Sequence, residues 1–186
     1  IFFQPKISRR QTPIQKQYSF TPLLLNKYQY QGKVNDVMNT YIGKTNDQAL
    51  VKIEKGKSSL EFGLPIKNSN ISTTTNGLFS SSSVTINSPD KNIESKYSLT
   101  EKGIKEEIIL HQIPNNTTNS FPIQLKLNNL TIKVNDSGVP VFYDKDSGKY
   151  LFHFQRPFVK DGKGNLSYAV KYKIQPLGQT PIANQQ

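Results

Sequence analysis

In "LVKIE" the residues Val51, Lys52, Ile53 and Glu54 alternate apolar and polar, which is the period of a half-buried strand. Extended runs broken by turn formers fill most of the chain. In the first half they are "YSFTPLLL", "KYQYQGKV" and "ALVKIEKGKSSLEFGLPI", the last bending at Lys55 to Lys57. In the second half "SVTINS" ends in "PDKN", "IESKYSL" in "TEKG", and "IKEEIILHQI" in "PNNTTNS". "FPIQLKLNN" turns into "LTIKVND", and "VPVFYD" passes through "KDSG" into "KYLFHFQ". "RPFVKDGKG" and "NLSYAVKYKIQ" close the series. Turn signals come about every eight to twelve residues, the cadence of a β-sandwich or barrel. No helical period is sustained anywhere, and Gly103 inside "LTEKGIKEEIIL" argues for strand there too.

The pattern predicts an all-β chain: an antiparallel β-sandwich over residues 18–175, with an extended arm at 1–17 and a linker or tail at 176–186. The polar, low-complexity stretch 67–83 predicts a long loop, and with it a candidate boundary between two sub-regions. Predicted inward positions include Val51, Ile53, Ile108, Leu110, Ile123, Leu125, Phe142, Phe152, Phe154, Tyr168 and Val170.

Glu101, Glu106 and Glu107 raise the question of carboxylate chemistry. Two catalytic carboxyls need a fixed separation in one cleft. On a strand Glu106 and Glu107 face opposite sides, so they do not form such a pair. The stretch therefore predicts the wet face of a hairpin, its charges joined in cross-strand ion pairs with neighbouring lysines.

Composition narrows the class further. An apolar fraction of 34% is low for an α/β enzyme whose sheet is covered on both faces, but it suits sheets with one wet face. The net charge of +11 invites a nucleic-acid reading, yet of 24 basic residues only Arg9, Arg10 and Arg156 carry the planar fork that grips phosphates and base edges. Scattered lysines instead fit solubility and edge protection, with acidic surface polymers or glycans as electrostatic partners and no nucleic acid. Without cysteine there is no thiolate zinc site, thiol nucleophile or disulfide. No apolar run is long enough to span a bilayer as a helix. The first residue, Ile1, points to a chain processed or cut from a longer precursor.

From Ile86 to Ile174, about half the chain, the order of signatures is more specific than any one of them. It runs through "YSLTEKGIKEEIIL", "FPIQLKLNNLTIKV" and "GVPVFYDKDSGKYLFHFQRPFVKDGKGNLSYAVKYKI". This order resembles the β-rich, non-catalytic module towards the N-terminus of large exported cell-surface or wall-associated proteins of candidate-phyla and Gram-positive bacteria. The resemblance implies an extracellular location, no catalytic residues and no cofactor. Residues 1–17 have no counterpart in it.

Other candidate chemistry is sparse. His111 and His153 lie on separate strands, which predicts ordinary sheet residues rather than a metal site. "DKDSG" (Asp144 to Gly148) spaces two aspartates as a calcium loop begins, but lacks the distal glutamate, so a hairpin turn is expected. "DGKG" (Asp161 to Gly164) has neither the glycine spacing nor the helix of a phosphate loop. Asn-x-Ser/Thr sequons at Asn70, Asn115, Asn116, Asn129, Asn135 and Asn165 are candidate glycosylation sites.

The expected function is that of a structural, non-enzymatic extracellular module of a cell-surface layer, filament or adhesin. Its partners would be copies of itself or other modules of the same surface protein, joined through sheet edges or terminal arms. Ile1, Phe2, Phe3 and Ile7 make the arm apolar enough to add as a strand to a neighbour. The alternative is a carbohydrate-binding β-sandwich, with Tyr28, Tyr30, Tyr41 and Tyr143 offering exposed rings.

Overall fold

A computed structural model describes residues 18–24, 28–34, 37–43, 51–64, 70–75, 81–89, 92–112 and 120–176. The expected arm at 1–17 lies outside these residues, and so does all of the expected tail except Pro176. The described chain is all-β and antiparallel, with no helix among the described residues.

In chain order the strands are β1 (Phe20–Pro22), β2 (Tyr28–Val34), β3 (Met38–Gly43), β4 (Val51–Lys55) and β5 (Ser58–Gly63). Then come β6 (Asn70–Thr75), β7 (Ser81–Asn87), β8 (Ile93–Thr100), β9 (Gly103–Leu110) and β10 (Gln124–Asn128). The last are β11 (Leu130–Val134), β12 (Pro140–Asp144), β13 (Tyr150–His153), β14 (Val159–Lys160) and β15 (Leu166–Ser167).

Ten strands form one sheet in the order β10-β5-β4-β3-β2-β1-β7-β8-β9, with β6 added beside β7. The remaining strands make a three-stranded sheet, β11-β12-β13, and a separate two-stranded ribbon, β14-β15. Strands β6 and β7 pair from Asn70↔Asn87 to Thr75↔Ser81, so the stretch expected to be a loop is largely a hairpin. Sequence pattern missed it because Ser and Thr supply polar side chains in β-compatible backbone, giving no hydrophobic alternation. Nor does the stretch divide the core. Phe20 in β1 pairs with Ser81 in β7, which carries the sheet across it.

The register places one apolar set on one face. Ile42 lies opposite Val51, Val51 opposite Phe62, and Ile53 opposite Leu60. Beyond β7 the same face continues through Val84 opposite Tyr97 and Leu99 opposite Ile104. A single flat sheet would leave this face in water, so the two halves turn towards each other. Their side chains share one buried cluster with Leu130 and Phe142 of the smaller sheet. Val51, Ile53 and Phe142 are buried as predicted, while Ile123, Leu125, Phe152 and Phe154 pack against the cluster from its margin.

Four predicted core positions sit elsewhere. Ile108 is only half-buried and Leu110 is 41% exposed, because β9 is the last strand of its sheet and has a strand partner on one side only among the described residues. Tyr168 and Val170 are exposed, because the chain after β13 leaves the core. Alternation fixes which residues share a face, not whether another layer covers it.

The halves meet at Gly32 of β2. A Cβ built there would lie 2.2 Å from Leu99 Cδ1 and 3.2 Å from a ring carbon of Phe20. Glycine is required here for close approach between layers. Next to it in register, Thr40 is fully buried and its hydroxyl has no hydrogen-bond partner among the described residues.

Two substitutions test this packing. Gly32→Ala should destabilise the fold by about 1–3 kcal/mol, since the added methyl forces repacking. In a Leu99→Ala background the same change should cost much less, and chemical denaturation of the four proteins in that cycle measures the difference. Thr40→Val keeps the shape and removes the unpaired hydroxyl, so it should stabilise by about 1 kcal/mol in the same assay.

Candidate functional site

Three groups of side chains stand out from the core: a polar knot between the two larger sheets, a half-buried carboxyl on the edge strand, and aromatic patches on the surface.

The polar knot forms where the chain leaves the large sheet. Asn129 is the single residue between β10 and β11 and has φ of 52°, a left-handed turn that asparagine accommodates better than most residues. Its carbonyl accepts from Lys145 N at 3.0 Å and from the buried Ser58 Oγ at 3.1 Å. Its Nδ2 donates to Asp144 Oδ2 at 3.2 Å. Ser58 Oγ also reaches Asp144 Oδ2 at 2.7 Å, while Asp144 Oδ1 accepts from Ser147 N and Oγ, both at 2.8 Å. The Ser58 bond and those from Ser147 hold the Asp144 carboxyl down at about 2. "DKDSG" is therefore a hairpin turn whose first aspartate also ties the turn to β5.

The second group concerns the carboxylates of β9. Glu106 and Glu107 do face opposite sides, but Glu106 is not on the wet side. It lies opposite Tyr97 in register and accepts a 2.7 Å hydrogen bond from the buried Tyr97 hydroxyl. Desolvation raises the Glu106 carboxyl above its ordinary value, an effect the Tyr97 bond only partly offsets. Burial, followed by the Glu106 charge, lifts the Tyr97 phenol well above the usual range. Among the described residues Glu106 lacks the expected cross-strand ion pair, and Glu107 pairs instead along its own strand with Lys105 at 2.8 Å. The opposed register of Glu106 with a tyrosine rather than a lysine is what periodicity could not reveal.

The third group is aromatic. Tyr28 and Tyr41 pack at 5.1 Å with the Lys52 ammonium 5.9 Å from both rings, and Lys52 is ion-paired with Glu54. Tyr143 meets Tyr150 edge-on at 6.4 Å, with Lys133 at 5.6 Å. Tyr30 packs against the core cluster. All four tyrosines expected as exposed rings are thus half-buried. Tyr150, which sequence reasoning passed over, is the exposed member, and its hydroxyl lies 2.6 Å from His153 Nδ1.

The histidines lie apart, His111 beside Glu94 at 3.3 Å and His153 between Tyr150 and Gln155. Among the described residues no three His, Asp or Glu side chains gather into a set able to hold a metal ion. "DGKG" closes the β14–β15 ribbon, where Asp161 Oδ1 accepts from Lys163 N at 2.9 Å and Asn165 N at 2.8 Å.

Of the sequon asparagines, Asn115 and Asn116 lie outside the described residues, as do Ile1, Phe2, Phe3 and Ile7. Asn70 is exposed at the start of β6. Asn135 is exposed and its Oδ1 accepts from Ser137 N and Val139 N, forming a turn. Asn165 donates to Asp161 Oδ2 at 2.8 Å, and Asn129 donates within the knot. A glycan on either of these two nitrogens would replace a donor already used by the turn it belongs to.

Comparison with known proteins finds no matching family model, curated relative or solved structure.

The two carboxyls give stability opposite slopes with pH. Asp144 has a folded value depressed to about 2 from an ordinary 3.8, so its contribution is present above about pH 4 and is lost as pH falls towards 2. Glu106 has a raised folded value, so stability increases as pH falls through that value towards 4.5, the ordinary glutamate value. Thermal melts should therefore peak at mildly acidic pH. Asp144→Asn should flatten the acid side of that peak. Glu106→Gln should raise the midpoint at pH 7 and flatten the other side.

Proposed function

We propose that the chain is a structural, non-enzymatic extracellular module of a cell-surface layer, filament or adhesin, joined to copies of itself or to sister modules through open sheet edges and terminal arms. The observation that carries this reading is that the ten-stranded sheet is open. Among the described residues, β9 and β10 at its two ends each have a strand partner on one side only. Each also exposes a leucine, Leu110 at 41% and Leu127 at 37%.

Open edges usually carry unpaired lysines that repel another strand. Here the edge lysines are partly neutralised: Lys105 pairs with Glu107 at 2.8 Å, and Lys126 with Glu61 at 3.7 Å. Strand addition at such an edge uses main-chain hydrogen bonds for affinity and alternate side chains for register. The apolar arm, with Phe2 and Phe3, has the composition of an added strand. The cell-surface location rests on the sequence resemblance. No helix among the described residues is long and apolar enough to cross a membrane.

Sedimentation velocity across a concentration series, with electron microscopy of the same samples, tests the proposal. The wild-type chain should form concentration-dependent polymers. Leu110→Lys with Leu127→Lys should shift the distribution to monomer at unchanged melting temperature, and removing residues 1–17 should shorten the polymers. A wild-type chain that stays monomeric at every concentration would end the assembly reading.

A further inference from the structure

The chain after β13 is built differently from everything before it. Among the described residues strands β14 and β15 pair only with each other, and every residue from Phe158 to Lys171 is exposed. Yet this end is anchored. The Tyr172 ring packs 5.6 Å from Phe154, which itself meets Phe142 of the core at 5.1 Å. The Tyr172 hydroxyl donates to the Gln155 carbonyl at 3.1 Å. A fixed segment that keeps its apolar groups in water is marked as a surface for something else.

Two features define its chemistry. Phe158 and Tyr168, 51% and 50% exposed, hold their rings 6.0 Å apart, and the Arg156 guanidinium lies 5.2 Å from the Tyr168 ring. The same segment carries Arg156, Lys160, Lys163, Lys171 and Lys173, none ion-paired with a described residue. The one carboxylate in the segment, Asp161, is occupied by the Asn165 amide and by the backbone of its own turn. Five cations against one anion leave a local charge of +4.

We propose that this aromatic and basic end, centred on Phe158, Tyr168 and Arg156, binds an acidic polysaccharide. The C–H faces of sugar rings pack on the half-exposed aromatic rings, and the carboxylates carried along the chain meet the lysines. A neutral glycan leaves the +4 unused. A second copy of this chain, at a net charge of +11, brings like charge to the patch. Nucleic acid is a poorer match, because four of the five cations are lysines, point charges without the planar fork. Phe158, Tyr168 and Arg156 belong to neither edge strand, β9 or β10, so their binding is read separately from assembly.

Calorimetric titration of the full chain with polygalacturonate, neutral dextran and a single-stranded DNA of matched charge tests the assignment. Polygalacturonate should bind, more weakly as salt rises. Tyr168→Ala should weaken it at least about tenfold, given the stacking lost at an exposed ring. Lys171→Gln with Lys173→Gln should weaken it and reduce its salt dependence. Both variants change exposed side chains, and an unchanged melting temperature confirms that they fold. Dextran binding as well as polygalacturonate overturns the proposal, as does DNA binding equally well with Tyr168→Ala indifferent. So does no polygalacturonate binding, or binding that neither variant alters.

Discussion

The close approach of β2 to β8 at Gly32 is the contact on which the rest of the architecture depends. One long antiparallel sheet carries a single apolar face, and bringing its two halves together dries most of it without helices. Leu99 fills the space that a side chain at position 32 would take. Around that contact Phe20, Val84, Ile86 and Tyr97 from one side meet Ile42, Val51 and Leu60 from the other. Because β1 joins β7 directly, the fold-back happens within one sheet rather than between two separate ones.

A second constraint orients the smaller sheet. At Asn129 the chain turns in one residue from the edge of the large sheet into the first strand of the small one. Ser58, Asn129 and Asp144 bond to one another across that corner, so the β12–β13 turn is pinned to β5 rather than left to swing. Phe142 is thereby held over the end of the core, and Phe152 and Phe154 pack on it at 5.1 Å each. The half-buried Glu106 carboxyl works in the opposite sense: its desolvation opposes folding at neutral pH and is tolerated because Tyr97 donates to it. Both groups are polar exceptions on the sheets' inner side, and both link elements distant in sequence or paired across a ladder.

The surface divides into parts of different character. The large sheet ends in two open edges with weakly exposed leucines and neutralised lysines, features that favour strand addition. The segment after β13 instead carries a pair of exposed rings and cations that are ion-paired with no described residue, and Tyr172 anchors it. The two proposals together give the module a division of labour, with edges for its own kind and the ribbon for an acidic polymer around it.

Local chemistry in the sequence determined the strand content, the antiparallel pairing and most of the turns. A period of two assigns faces, and Asp-Gly or Lys-Gly pairs mark reversals, without reference to distant residues. That is why Val51, Ile53 and Phe142 were legible as core, and why Glu106 and Glu107 were legible as opposed. Tertiary structure alone decided which faces are covered. Leu110, Tyr168 and Val170 alternate correctly and still meet water, because no second layer of the described residues covers them. It also decided that the Ser- and Thr-rich stretch pairs as a hairpin, and that Asn129 meets Ser58 from 71 residues away. The aromatic and basic end shares this property. Its residues could be read singly, but their meeting on one exposed ribbon depends on where the core ends, which no local pattern encodes.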